Sequence, residues 1–582
     1  MKILLVAINA KYIHSNLAVY CLTAYAKKHV PKDVNVRIEL AEYTINQNRD
    51  DILKDIYRRQ ADVICFSCYI WNLDYVETLI RDVKKVMRDA VIWAGGPEVS
   101  YDSRETLERL PELTGVMKGE GEKTFAKLCE VYGKCSEALE QSMEHIDGIT
   151  FRRQDGSICE RPWREPMDLS EVPFVYHDMK KFENKIIYYE TSRGCPFSCS
   201  YCLSSIDKRL RFRRLDLVFD ELQFFLDHKV PQVKFVDRTF NCKHDHAMAI
   251  WNYIQDHDNG ITNFHFEVAA DLLNEEEISL IEKMRPGLIQ LEIGVQSTNP
   301  ETIREIHRTM KLEEVRDHVT RIKKKGNIHQ HLDLIAGLPY EDIKSFRKSF
   351  DDVYSMRPDQ LQLGFLKVLK GSHMQEMQQA YEIQYKDEPP YEVLSTKWLP
   401  YSDVIELKGI EEMVEIYYNS GQFTQTMEAL VGNYESSYKM YQDLWLYYEA
   451  HGYMGIQHRR SARYEIVLDF VKEKYPEQTD QIRELLTYDY YLRENAKSRP
   501  EFAGEEQTDK RFVRAFYEEE EKEHRYLPGY EQYDRNQMRK MTHLEYFPNM
   551  GKMLLFDYKF RNPLNQEART CMIKEDSLER RG

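Results

Sequence analysis

Along the first third of the chain, short unbroken apolar runs alternate with longer stretches whose apolar residues recur every three or four positions. "KILLVAI" is a continuous run, the pattern of a parallel strand buried on both faces. It starts too close to "KYIH" and lacks the small-residue cleavage site of a signal peptide, so it predicts a first strand. "NLAVYCLTAYAKKH" then carries Leu17, Tyr20, Cys21, Ala24 and Tyr25 at helical spacing. "VNVRIELAEY" alternates like a strand, "DDILKDIYRRQ" is helical, and "ADVICFSCYIW" is a second buried strand. Between 71 and 88, Leu73, Val76, Leu79, Ile80, Val83, Val86 and Met87 form one helical stripe. "AVIWAGGPEVS" and "GVMKGEGEKTFAKLCEVY" complete five βα units. Residues 1–135 therefore predict a doubly wound α/β domain, whose ligands bind beyond the carboxyl ends of the strands. Cys65 and Cys68 lie three apart in a strand and point to opposite faces, so they read as core residues rather than a shared metal site.

A linker over 136–182 is marked by the proline turns "RPWREP" and "EVPF". A strand over 186–191 then runs directly into a loop carrying Cys195, Cys199 and Cys202. Five further strand candidates follow: "QVKFVD", "NFHFEV", "LIQLEIG", "HQHLDLIAG" and "QLQLGFL", with amphipathic stretches between them. Residues 183–375 thus predict a partial (β/α)6 barrel, with the cysteine loop at the strand ends where barrels place their chemistry. Residues 376–582 are rich in tyrosine and acid and mostly helical in pattern, with "KMLLFDYKFR" as a late strand. The tyrosines there read as helix packing, and "EEEEKEHR" at 518–525 as a solvated helix face.

Composition narrows the class. The chain has 582 residues, a net charge of −16 and 42% hydrophobic residues, which argues against a general nucleic-acid or membrane-surface binder. No apolar run reaches the ~18 residues that cross a bilayer, and a cytoplasmic location is expected. Eleven cysteines, an odd number, discourage a disulfide framework and favour metal or redox chemistry where they cluster. The three loop cysteines are one short of the four thiolates that a tetrahedral zinc or a four-iron cluster takes from protein. A zinc knuckle completed by a histidine or by Cys242 is one way to fill the gap.

The spacing C-x3-C-x2-C, with Tyr201 before the last cysteine, a strand in front and six βα units, resembles the cluster motif of the radical SAM superfamily. That resemblance implies that Cys195, Cys199 and Cys202 hold three irons of a 4Fe–4S cluster and that S-adenosylmethionine chelates the fourth. Reductive cleavage to methionine and a 5′-deoxyadenosyl radical would follow, with the radical chemistry belonging to the cofactor. It further implies adenosylmethionine contacts from Tyr201, Asp237 in "FVDRTFN", Glu267 in "FHFEVAADLL", and Glu292, Gln296 and Ser297 in "LEIGVQS". "HLDLIAGLPYED" would line the adenine. No residue stands out as catalytic.

The strand-end loops "NAKYIHSN", "SCYIWN", "GGPEVS" and "KGEGE" resemble the cobalamin-binding domain in front of one class of these enzymes. The implied contacts are Asn9, Tyr12, Ser67, Tyr69, Gly95, Gly96, Pro97, Gly119, Glu120, Gly121 and Glu122, with cobalamin between the first two domains. The chain lacks the D-x-H-x-x-G motif of the mutases, so no cobalt ligand from that motif is implied. The last two hundred residues resemble an uncharacterised C-terminal domain appended to such proteins. The expected function is a cobalamin-type radical SAM enzyme that methylates or rearranges an unactivated carbon of a small molecule or peptide. Its electrons would come from a flavodoxin- or ferredoxin-like reductase, with no membrane or nucleic-acid partner. Two alternatives stay open: a radical SAM enzyme whose first domain binds no cobalamin, and a non-catalytic iron–sulfur or zinc interaction protein. "RLRFRR" at 209–214 is read as a solvated face or as the rim of a basic cleft.

Overall fold

The computed structural model describes residues 1–134 and 139–574. The expected boundary between first domain and linker, at 135–136, lies outside the described residues. The chain parts into two compact units. The first comprises Met1–Ile328, Ile335–Phe346 and Gly364–Val404, and the second His329–Leu334, Arg347–Leu363 and the chain from Ile405 onward.

The first unit opens with a seven-stranded sheet: β1 (Lys2–Asn9), β2 (Arg37–Thr44), β3 (Val63–Ser67), β4 (Val91–Gly95), β5 (Gly115–Met117), β6 (Ile149–Arg152) and β7 (Ile158–Glu160). Their order is β2-β1-β3-β4-β5-β6-β7, and the first five run parallel. The chain builds outward from β1 to β2 and then crosses back to β3. The direction of winding thus reverses beside β1, where a crevice opens at the strand ends. Each face of the sheet carries its own apolar layer. Ile64, Phe66 and Cys68 pack with Ile92 and Val76 on one side. Val63, Cys65 and Trp93 pack with Leu5 and Phe125 on the other. The two cysteines of the C-x-x-C are therefore in opposite layers, as the strand period requires. Gly115 is forced by packing, because a Cβ there would lie 2.4 Å from the Trp93 ring.

Part of the expected linker belongs to this sheet. β6 pairs antiparallel with β5, and β7 pairs antiparallel with β6. The turn between β6 and β7 is Asp155-Gly156, with φ of +86° at the glycine and Arg153 N donating to Ser157 O at 2.8 Å. Asp-Gly between two apolar runs is a strong hairpin signal. The proline turns that follow drew the sequence reading away from it.

The same unit continues with β8 (Ile187–Tyr189), the short strands β9 (Ser192–Arg193) and β10 (Arg211–Phe212), then β11 (Gln232–Phe235), β12 (Asn263–Val268) and β13 (Ile289–Gln296). β8, β11, β12 and β13 are neighbours in that order and run parallel. Helices Leu215–Asp227, His244–Asp256 and Glu275–Ile281 make the crossovers. Two more βα repeats follow along the chain, with β14 (His329–Ala336) and β15 (Gln360–Phe365) each preceded by a helix, Leu312–Lys325 and Ile343–Tyr354. All six strands of the expected partial barrel are present. β16 (Gln384–Tyr385) and β17 (Val393–Ser395) form a small antiparallel pair.

The second unit is mainly helical, with helices Thr424–Val431, Ser437–Ala450, Arg460–Lys474, Thr479–Arg493 and Lys510–Glu523. It ends in an antiparallel sheet of β18 (Thr542–Phe547), β19 (Lys552–Arg561) and β20 (Ala568–Ile573). Its tyrosines are core: Tyr438, Tyr441, Tyr448, Tyr464 and Tyr491 are fully buried. The acidic run is not wholly a solvated face, because Glu520 is buried and accepts from the amides of Tyr526 and Leu527, both at 3.0 Å. Among the described residues no helix is long and apolar enough to cross a membrane.

Helix Thr424–Val431 takes its N-terminal cap from a distant residue. The buried Asp489 carboxylate accepts from Gln425 N at 3.0 Å, Thr426 N at 2.9 Å, Thr424 Oγ1 at 3.2 Å and Thr426 Oγ1 at 2.7 Å. Asp489→Ala strands these donors and is expected to destabilise the second unit by about 2–3 kcal/mol in denaturant melts. Asp489→Asn should cost less, since its amide oxygen still accepts.

Candidate active site

The cysteine loop is pinched at its neck. Ser192 and Arg193 of β9 face Phe212 and Arg211 of β10 across an antiparallel pair. Gly194 follows with φ of +89°, and a Cβ there would sit 2.5 Å from the Arg209 carbonyl oxygen, so only glycine fits. The loop is then held by its own backbone: Cys195 N donates to Asp207 O at 3.0 Å, Cys202 N to Cys199 O at 3.1 Å and Ser205 N to Cys202 O at 3.2 Å. Ser200 anchors it to two other segments, its N–H donating to Ile306 O and its carbonyl accepting from Met374 N. Cys195 and Cys199 are buried and Cys202 is half-buried.

Two polar side chains stand against these thiols. Thr239 Oγ1 is 3.8 Å from Cys195 Sγ. Arg308 Nη1 is 3.8 Å from Cys199 Sγ and 3.3 Å from the Tyr201 hydroxyl, while Nη2 donates to Gly294 O. Burial pushes the Cys199 thiol up, and the Arg308 charge works against that. Among the described residues the partners of Arg308 are these thiol, hydroxyl and carbonyl groups and no carboxylate, and its buried Nε has no hydrogen-bond partner. A buried guanidinium needs a negative neighbour. Three thiols on one loop beside it suit an anionic iron–sulfur cluster. Burial pushes Cys242, the other thiol of this region, up to about 11.

The strand-end residues divide into two groups. Asp237 is fully buried and accepts from Thr191 N at 3.0 Å, Thr191 Oγ1 at 2.6 Å and Ser192 Oγ at 2.6 Å. Burial raises its carboxyl to about 6 despite those bonds. Its role in this structure is to tie the end of β11 to the chain entering the cysteine loop. His246, pushed down to about 4 by burial, joins the same tie at 3.1 Å from Thr191 Oγ1. Ser297 is likewise committed, donating to Glu341 Oε1 at 2.7 Å within the core. Tyr201 is bound to Arg308 as described. Gln296 has φ of +72° and a buried side-chain oxygen without a partner.

Glu292 lies 3.1 Å from Lys234 Nζ and 2.9 Å from His265 Nε2. Burial opposes its charge, but these two partners bring it down to about 2. Glu267 lines the cavity described next.

That cavity, of about 1550 Å³, is bounded on one side by the strand ends of the first sheet and on the other by the cysteine loop and barrel strand ends. Asn9, Ser67, Tyr69, Gly95, Gly96, Pro97, Gly119, Glu120, Gly121 and Glu122 all line it. Tyr12 does not: it is 68% exposed, beneath the ammonium of Lys185. The glycines answer first to the protein itself. A Cβ at Gly96 would lie 2.3 Å from the Cys68 carbonyl oxygen, and one at Gly121 would lie 2.9 Å from Leu22. Glu120 and Glu122 turn their carboxylates to Arg193 and Arg211. Even so, four separate strand-end loops meeting one roomy cavity suit a large ligand.

Several wall residues escaped the sequence reading. Trp71, stacked 4.4 Å from Tyr69, and Trp163, over which Lys118 lies at 5.4 Å, both line the cavity while half exposed. Lys234, Arg238 and Arg193 line it as well. Trp163 sits in "RPWREP", where the prolines masked it. An exposed tryptophan between two prolines was the available signal.

"RLRFRR" is a solvated face only in part, at Arg209 and Arg214. Arg213 is buried, its Nε donating to Glu221 Oε2 at 2.9 Å and its Nη1 to the carbonyls of Leu169 and Val172. Arg211 is occupied by Glu120 and Asp207, both at 2.5 Å. Arg211 and Arg213, two apart, turn inward at the short strand β10.

Three family models match the chain. The B12-binding domain matches residues 3–129, the radical SAM superfamily residues 189–353, and a protein of unknown function, DUF4080, residues 379–562. A curated relative, an uncharacterised methyltransferase of Pyrococcus horikoshii, is 25% identical over 302 residues, 50% of this chain and 63% of its own. The cobalamin-dependent radical SAM methyltransferase TokK of Streptomyces tokunonensis is 25% identical over 311 residues, 50% of this chain and 44% of its own. The match thus spans less than two thirds of either relative. Among solved structures, the methyltransferase TsrM of Kitasatospora setae, with cobalamin and a [4Fe–4S] cluster bound, superposes with a TM-score of 0.53. It is 16% identical, and the match covers 67% of this chain and 78% of that one, a likeness of fold. The chain thus carries a radical SAM domain, with a B12-binding domain in front of it and a DUF4080 domain behind it.

Proposed function

We propose that the chain is a cobalamin-dependent radical SAM methyltransferase acting on an unactivated carbon of a small molecule or peptide. The observation that carries this is the single cavity of about 1550 Å³ walled by both the strand ends of the B12-binding domain and the cysteine loop. When bound, the cluster with adenosylmethionine supplies a hydrogen-abstracting radical and cobalamin supplies a transferable methyl group. The protein's own work is positional. Cys195, Cys199 and Cys202 offer three thiolates from one backbone-locked loop. Arg308 balances the charge beside Cys199. Gly95, Gly96, Gly119 and Gly121 bring backbone to the opposite wall, and Trp71 and Trp163 add aromatic faces to it. Glu267 and Arg238 are polar groups at the barrel strand ends, placed to orient adenosylmethionine or substrate.

Every cysteine among the described residues is a free thiol, which supports a reducing compartment, and we propose the cytoplasm. Electrons would come from a flavodoxin- or ferredoxin-like reductase. Anaerobic turnover with methyl-labelled adenosylmethionine in extract of the source cell tests the reaction. Label in a new carbon–methyl product, beside deoxyadenosine and adenosylhomocysteine, is the expected result. Deoxyadenosine with an altered substrate but no transferred label would replace methylation by rearrangement.

Two substitutions separate the cofactor sites. Replacing Cys195, Cys199 and Cys202 together with alanine should abolish the cluster's visible absorbance and deoxyadenosine formation while leaving hydroxocobalamin binding in place. Stoichiometric zinc without iron in anaerobic wild-type protein would overturn the cluster assignment. For the other site, Gly96 is a poor probe because any side chain there strikes Cys68. Ala18 lines the cavity from helix Leu17–His29 yet is exposed, so Ala18→Trp fills space without disturbing the core. It should weaken hydroxocobalamin binding about tenfold or more, the loss expected when a contact worth ~1.4 kcal/mol is blocked. Its melting temperature should not change.

A further inference from the structure

Two arginines face each other directly across the neck of the cysteine loop, Arg193 on β9 and Arg211 on β10. Like charges placed opposite in an antiparallel pair repel, so the neck is unstable unless something neutralises it. Glu190, three positions earlier, supplies one carboxylate, with both its oxygens 3.0 Å from Arg193 Nε. Asp207 serves Arg211 at 2.5 Å. The remaining two carboxylates come from the loop after β5 in the first sheet. Glu122 Oε1 is 2.6 Å from Arg193 Nη2. Glu120 reaches both guanidiniums, at 2.5 Å from Arg211 Nη1 and 3.6 Å from Arg193 Nη1, and also accepts from Met167 N at 3.1 Å.

None of these is a loose surface pair. The side chains of Arg193 and Arg211 are 14% and 15% exposed, and that of Glu122 is 6% exposed. Screening by solvent, which makes surface pairs nearly worthless, is weak at the Arg193–Glu122 pair and stronger at Glu120 and Asp207, whose side chains are 26% and 38% exposed. Burial disfavours the ionised forms, but the mutual charges keep Glu122 low and Arg193 high. Removing one partner leaves a buried charge with an incomplete shell, which is the costly case.

We infer that Glu120 and Glu122 are positioning residues for the cysteine loop, holding its neck in register with the ligand face of the B12-binding domain through Arg193 and Arg211. Both glutamates belong to the "KGEGE" loop, whose glycines line the cavity. The backbone of that loop therefore stays free to face a ligand while its carboxylates clamp the neighbouring domain. The loop pinned at Arg193 carries its first thiol two residues further on, at Cys195. A shift of the neck would move all three thiols relative to the first domain.

The test uses the full chain, purified without oxygen, as wild type, Glu122→Gln, Glu122→Asp and Glu120→Gln. Amide hydrogen exchange is followed by mass spectrometry. In Glu122→Gln, exchange across residues 192–213 should accelerate about tenfold or more, as expected when charged hydrogen bonds that hold a segment closed are lost. Exchange in helices Ser437–Ala450 and Arg460–Lys474 of the second unit should stay as in wild type, which excludes general unfolding. Glu120→Gln should act in the same direction, and Glu122→Asp should restore much of the protection. The second readout is the electron paramagnetic resonance spectrum of the reduced, reconstituted protein with adenosylmethionine. This arm rests on the cluster reading given above. The Glu122→Gln spectrum should differ from wild type and that of Glu122→Asp should approach it. Unchanged exchange across 192–213 in Glu122→Gln would overturn the inference whatever the spectrum. Should wild type hold no cluster, the cluster reading falls while the exchange result still decides the clamp.

Discussion

Parallel strands cannot be joined by tight turns. Each must be followed by a crossover that returns the chain to the starting edge, so every strand in a parallel sheet ends on the same side. This constraint acts twice here, in β1 to β5 and again in β8, β11, β12 and β13. The first gathers the loops around Asn9, Ser67, Gly95 and Gly119. The second gathers the cysteine loop with Asp237, Glu267 and Gln296. A single cavity meets both sets of ends, and the chemistry available to the chain depends on that meeting.

Unbroken or alternating apolar runs made the strands legible, because their period follows from the pleat alone. For the same reason Cys65 and Cys68 were readable as core residues. The three metal-ligand candidates were legible from spacing, since a loop of eight residues leaves few ways to present three thiols. What escaped depends on long-range pairing. Nothing near Asp237 in sequence announces that its donors are Thr191 and Ser192, 46 and 45 positions earlier. Glu120 and Glu122 line the cavity between its glycines; that their carboxylates also pair with Arg193 and Arg211 has no local signal, since those partners lie about seventy positions or more downstream. The Asp155-Gly156 hairpin is a different kind of omission. Its signal was local, but proline-rich surroundings favoured a linker reading over a sheet edge.

Charge runs deserve separate treatment from charge totals. The net charge of −16 describes the whole chain, whereas in "RLRFRR" Arg211 and Arg213 are enclosed and Arg209 and Arg214 are exposed. Arg213 fastens Glu221 to two carbonyls of the segment 169–172, and Arg211 joins the neck of the loop. Within this cationic stretch Arg211 and Arg213 hold backbone and carboxylates in place.

The buried thiols of the first sheet have a consequence for how the chain acquires metal. Iron and zinc bind thiolate, not thiol. Cys65 and Cys68 are pushed up to about 12 by burial, and Cys21 and Cys129 are pushed up further still. All four keep their protons at physiological pH; Cys68 and Cys129 are enclosed in the two apolar layers, while Cys21 and Cys65 are buried at the wall of the cavity. Cys199 by contrast has the guanidinium of Arg308 beside its sulfur. Folding the first domain before metal arrives thus encloses Cys68 and Cys129 and leaves Cys21 and Cys65 as protonated thiols, so the order of folding and loading bears on where a cluster assembles.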